Sequence, residues 1–216
     1  MTARERILRR IRRAQGRGDR APSAAERETI DSYLRSHPRG PLPDISGDLV
    51  ARFCDRARAA ASSWDRVAGL DDAPAALRRY LDANDLPKSG CVWPELARHD
   101  WAGAGLALAP RAALEEDAVG VSGAFCAIAE TGTLMLVSGP DSPASVSLLP
   151  ETHVALVPVG RVVAHMEDGW DFARSELRTL PRAVNFISGP SRTADIEQTL
   201  VLGAHGPYRV HIILIG

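Results

Sequence analysis

From residue 72 onward, short apolar runs alternate with helical stretches, and this alternation constrains the fold more than any other feature of the chain. Helical periodicity marks 72–84, 167–180 and 193–202, and the runs at 91–93, 106–108, 184–187 and 208–215 are short enough for strands. Strands separated by helices imply an α/β fold, with a mainly parallel sheet flanked by helices. Between 119 and 159 the apolar runs (119–128, 133–138, 145–149, 154–159) follow one another without helices, so an antiparallel β-hairpin must be inserted there.

The first third reads as helical. Ile7, Leu8, Ile11 and Ala14 recur at helical spacing until Gly16 and Gly18 intervene, and 25–36 places Ile30, Tyr33 and Leu34 on one face before His37-Pro38. A Pro/Gly stretch at 40–43 acts as a linker, and a helix from about residue 47 places Val50, Phe53, Cys54 and Ala57 together, with Cys54 in the core. These patterns divide the chain into a helical N-terminal arm, 1–45, and an α/β domain, 46–216.

Charge separates the same two parts. The net charge of −1 resolves into +6 over residues 1–20, with eight Arg against Glu5 and Asp19, and −7 over the rest. The basic helix suits nucleic acid, an anionic membrane, a partner protein or a solvated face, and an Arg-rich start is also the pattern of a transit peptide. It carries no aromatic side chain to stack a base, which argues against nucleic acid. No apolar run approaches the roughly 18 residues of a membrane span. Together with the absence of a secretory h-region this points to the cytoplasm.

Residue types exclude several chemistries. Cys54, Cys91 and Cys126 lie far apart without a CxxC, so neither a disulfide framework nor a Cys-ligated cluster is expected. The six His residues form no HxxxH or HxH pair, so no metal site is expected, although His153 lies beside polar groups at a strand entrance. Lys88 is the only Lys, against 25 Arg, which limits Lys-dependent catalysis to one candidate.

Three segments can carry chemistry. In 129–134 (AETGTL) a turn with Gly132 at positive φ is flanked by Glu130, Thr131 and Thr133. A carboxylate held at a strand end suits a general base or a nucleophile, or equally an anchor for an Arg or for turn amides. In 185–197 a strand passes through Gly189, Ser191 and Arg192 into the expected helix, with Thr193 as N-cap and Asp195 in the first turn. Amides at a helix start and an Arg attract anions, whereas Asp195 would repel a phosphate. In 203–207 (GAHGP) Gly203 ends that helix, and His205 either carries protons or caps the helix carbonyls, at the opposite end from Ser191.

The runs AIAETGTLMLVS (127–138), SLLPETHVALVP (147–158) and FISGPSRTADIEQTLVLGAHGP (186–207) resemble the LUD-domain proteins, and among them the LutC/YkgG lactate-utilisation family. ARERILRRIRRA and YLDANDLP…VWPEL are similar too, which weakens the transit-peptide reading. The resemblance implies a NagB/RpiA/CoA transferase-like fold and a part in oxidising L-lactate to pyruvate. Iron–sulfur centres would then sit on partner subunits, with no cofactor in this chain. It carries over motif identity and no catalytic roles.

Three functions follow as expectations. The first is a non-redox subunit that binds a small carboxylate between the 189–193 loop and the 130–133 hairpin. The second is a free-standing CoA-transferase-like enzyme using Glu130. The third is a regulatory or structural binding protein acting through the basic arm.

Overall fold

The computed structural model describes residues 1–18, 20–193 and 201–216, with the Val201 side chain also left aside. It divides into two units, Met1–Leu42 and Pro43–Gly216.

The first unit holds two helices, α1 (Ala3–Ala14) and α2 (Ala24–Ser36). Each begins with a capping box: Thr2 with Glu5, and Ser23 with Glu26, exchange hydrogen bonds of 2.7–3.2 Å that satisfy otherwise orphaned amides. Neither helix buries a residue. Ile7 and Ile11, on the amphipathic face read from the sequence, are 60% and 46% exposed.

The second unit begins with α3 (Leu49–Ala59), β1 (Ser63–Val67), α4 (Ala73–Ala83), β2 (Ser89–Val92), β3 (Ala107–Pro110), β4 (Val119–Gly123), β5 (Cys126–Ile128) and β6 (Thr133–Val137). It continues through β7 (Thr152–Pro158), β8 (Val162–Val163), α5 (Met166–Glu176), β9 (Val184–Ile187), β10 (Arg192–Thr193), β11 (Val201–Leu202) and β12 (Arg209–Ile215). Six strands form one sheet in the order β1-β12-β7-β4-β2-β3, and every pairing in it is parallel. The central strands β7 and β12 are buried along nearly their whole length, as expected of parallel strands covered on both faces. β3 ends in Pro110 at the sheet edge, where a missing amide costs no ladder bond. Phe53, Leu77, Leu81, Ile212, Ile213 and Leu214 are fully buried among its strands and helices.

The inserted hairpin β5–β6 is part of something larger than two strands. β8 joins β5 in parallel and β9 joins β6 antiparallel, giving a second, four-stranded sheet in the order β8-β5-β6-β9. α5 covers it, with Gly169 close to Cys126 and Met135. The run at 145–149 is no strand, since Ala144–Ser147 form a short 3-10 turn.

The ends of the segment expected as a helix over 193–202 pair as strands: Arg192 and Thr193 lie antiparallel to Leu202 and Val201, so Thr193 belongs to β10 and Val201–Leu202 to β11. Gly203 takes its positive φ of 76° in the turn after β11 and not as a helix C′ residue. The physical cause is backbone pairing: the Gly203 amide donates to the Ser191 carbonyl, and the Ser191 amide to the Pro207 carbonyl, both at 2.9 Å. Residues 194–200, including Asp195, lie outside the described residues.

Candidate functional site at the amino edge of the sheet

The three motif segments converge on the edge of the parallel sheet where the strands begin. The 130–133 turn packs on the last turn of α3, which runs directly into β1. Gly132 has φ 70°, and a Cβ there would overlap the backbone of Arg56 and Ala57. Gly189 has φ 77°, and a Cβ there would overlap the Ala60 carbonyl. Both glycines therefore permit a left-handed backbone and a close approach to the same helix end.

Hydroxyls tie the turn to the loop. Thr131 Oγ1 lies 2.7 Å from Thr133 Oγ1, which lies 2.6 Å from Ser188 Oγ. The two segments are thus bonded neighbours and not opposite walls of a cleft. Arg192, expected to offer its charge to an anion, donates from Nη2 to the Ala60 carbonyl at 3.1 Å. That places a cation at the C-terminus of α3, where the helix dipole favours one. Ser191 and His205 are in contact, not apart: the His205 amide donates to Ser191 Oγ at 3.3 Å.

Glu130 has a partner, His165, that was not among the candidate site residues. Its backbone amide donates to the Ala164 carbonyl, and its Oε2 lies 3.1 Å from His165 Nδ1. His165 caps α5, where its amide donates to Asp168 at 2.8 Å. Both side chains are only partly buried, at 27% and 14% exposure. A carboxylate on Nδ1 orients an imidazole and leaves Nε2 as its outward proton donor or acceptor. The one available sequence signal was His165 three residues ahead of Asp168 at a helix start.

His153 and His211 are structural. His153 is wholly buried in β7, its Nε2 2.8 Å from Ser122 Oγ, and burial pushes its pKa down to about 3. His211 in β12 stacks on Tyr80 at 3.7 Å between ring centroids and meets Ser63 Oγ at 2.8 Å. Burial pushes its pKa down to about 4. The cysteines are buried too, with desolvation pushing Cys91 up to about 12 and Cys126 up to about 11.

Two crevices flank these residues. One, of about 340 Å³, opens at the amino ends of β7 and β12 and is lined by Leu149, Glu151, Gly203, Gly206, Tyr208 and Arg209. These residues come from two of the blocks singled out in the sequence and from the dipeptide that follows them. The other, of about 400 Å³, lies at the carboxyl ends of β2, β4 and β7 beside Trp93, Ala124, Phe125 and Pro158. Ligands of open parallel sheets commonly occupy that carboxyl side. Here its Arg161 is already engaged, with Glu176 bidentately at 2.6–2.9 Å and with the Phe125 carbonyl at 2.7 Å. Glu95 at its mouth has a raised pKa, through partial burial and then the nearby Asp141 carboxylate. Among the described residues no group of His, Cys, Asp and Glu is arranged to hold a metal. No helix there is long and apolar enough to cross a membrane.

Comparison with known proteins gives the family. Residues 97–215 match the LUD domain. Lactate utilization protein C of Anoxybacillus flavithermus is 38% identical over 196 residues, covering 89% of this chain and 71% of that protein. The protein of the same name from Bacillus subtilis is 41% identical over 104 residues, which are 47% of this chain and 43% of that relative's length. An uncharacterized protein of Neisseria meningitidis serogroup B is 43% identical over 96 residues, 44% of this chain and 41% of that protein. In three dimensions the chain is similar to a DUF162 family protein from Deinococcus radiodurans. Its TM-score is 0.59 at 21% identity, covering 81% of this chain and 100% of that one, a likeness of fold. The matched domain and the long alignment together show that this chain belongs to the LUD domain family, with the lactate utilization protein C sequences among its relatives.

Proposed function

We propose that this chain serves lactate utilisation as a non-redox component that binds the small carboxylate. The observation that carries this reading is the 38% identity with a protein named lactate utilization protein C across 89% of the chain. In this reading electrons pass through iron–sulfur partner subunits and no cofactor resides in this chain. Its three thiols, buried and held protonated, suit packing and not cluster ligation. The oriented Glu130–His165 pair supplies a proton-transfer group at the motif edge.

The alternative is a CoA-transferase-like enzyme with Glu130 as nucleophile, whose carboxylate His165 would orient through Oε2. A binder acting through the basic arm remains a third function, supported by the exposure of Ile7 and Ile11 on α1.

The test is growth on L-lactate as sole carbon source in a strain whose own copy is deleted. Restored growth with this chain, and co-purification with iron–sulfur subunits, is the expected result. Restored growth without co-purification would remove the subunit role, and no restoration would overturn the reading.

A further inference from the structure

The crevice at the amino ends of β7 and β12 is lined by Arg209, whose guanidinium has no charged partner among the described residues. Arg209 opens β12, and its backbone amide donates to the Glu151 carbonyl at 2.9 Å. Its guanidinium lies 4.8 Å from the centroid of the Tyr208 ring, which steadies the fork without consuming its hydrogen-bond donors. Among the described residues no hydrogen bond or ion pair engages that guanidinium. Arg161 and Arg192 differ, since each is committed to a carbonyl and Arg161 also to Glu176.

Around Arg209 three apolar side chains interrupt a lining that is otherwise largely polar. Leu149, Leu202 and Tyr208 are 61%, 38% and 45% exposed, and all three border this crevice. A planar fork of N–H donors beside exposed apolar carbon matches a carboxylate with a short carbon skeleton. Glu151 lines the same crevice and repels a second negative charge, which disfavours dianions.

We propose that this crevice is a binding site for small 2-hydroxy and 2-oxo monocarboxylates, with Arg209 taking the carboxylate and Leu149 and Leu202 the carbon chain. The assignment rests on the lactate-utilisation reading for the choice of acid. It moves the carboxylate anchor from the 189–193 loop to Arg209, because Arg192 is occupied with the end of α3.

Calorimetry on the full chain with L-lactate, pyruvate, L-lactamide and inorganic phosphate tests it. Both acids are expected to bind, with the neutral amide and phosphate at least about tenfold weaker, the scale of losing a charge-assisted bond. Arg209→Gln should weaken L-lactate at least about tenfold, and Arg209→Lys, which keeps the charge and loses the fork, should fall between. Thermal unfolding of both variants should change little, since the contact that the guanidinium makes among the described residues is with the Tyr208 ring. Equal affinity in Arg209→Gln, loss in Arg192→Gln instead, phosphate binding as tightly as lactate, or no binding of either acid would each overturn the proposal. Restored growth on L-lactate with no Arg209-dependent binding would remove this site and leave the lactate role standing. Arg209-dependent binding without restored growth would do the reverse.

Discussion

Glu130 in the turn after β5 and His165 at the start of α5 meet through a 3.1 Å contact between Oε2 and Nδ1. The Glu130 backbone is held by its amide on the Ala164 carbonyl and the His165 backbone by its amide on Asp168, so both backbones are anchored where the side chains meet. Such a pair acts as a unit. His165→Ala and Glu130→Gln are each expected to lower lactate-dependent turnover of the assembled system on the order of 10²-fold. The double variant should cost little more than either single one. Additive losses, or losses that track thermal unfolding, would make the pair a structural contact.

The turn that carries Glu130 depends on a residue with no side chain. Gly132→Ala places a Cβ at φ 70° and against the α3 backbone. Left-handed strain and overpacking together should destabilise the fold by about 2–4 kcal/mol. Gly160→Ala, with nothing within 4 Å, should stay within about 0.5 kcal/mol. Urea unfolding of the two variants measures the contrast, and equal stabilities would contradict the close approach to α3.

Acid sensitivity should begin well above the carboxylate range. His153 and His211 are held neutral when folded, with pKa values of about 3 and about 4, against 6.5 in the unfolded chain. Between those values the unfolded chain binds protons that the folded one refuses, so stability is full above pH 6.5 and falls as the pH drops. Each histidine contributes a slope of about 1.4 kcal/mol per pH unit at its full extent. Denaturant unfolding at pH 7, 6 and 5 should show this loss before the carboxylates titrate. A flat response across that window would mean that both imidazoles reach solvent, and half the slope that one does.

Much of this architecture was legible in the sequence, and the misses have physical causes. The runs at 184–187 and 208–215 are strands, and the stretch at 72–84 corresponds to α4, because burial on both faces or on one stripe dictates their periodicity. Two-residue strands such as Val162–Val163 leave no periodic trace, so the second sheet showed only as its central hairpin. Val201 and Leu202 were expected in a helix, yet they pair with Thr193 and Arg192 as a two-residue strand, because long-range backbone pairing outweighs local preference there. The meeting of the 130–133 turn with the 188–193 loop, through Thr131, Thr133 and Ser188, has no trace in the sequence because Thr133 and Ser188 lie 55 residues apart. His165 and Arg209 were passed over because each stands alone in sequence, and only the folded chain brings a carboxylate to one and an open crevice to the other.

The proposed ligand site lies at the amino edge of the sheet, where the motif blocks gather, and not in the carboxyl-edge crevice that such sheets more often use. A crystal structure of the full chain soaked with pyruvate tests this most directly. The expected result is ligand density in the crevice between Leu149 and Tyr208, with the carboxylate on Arg209. Density beside Trp93 and Arg161 at the carboxyl ends of β2, β4 and β7 would contradict it.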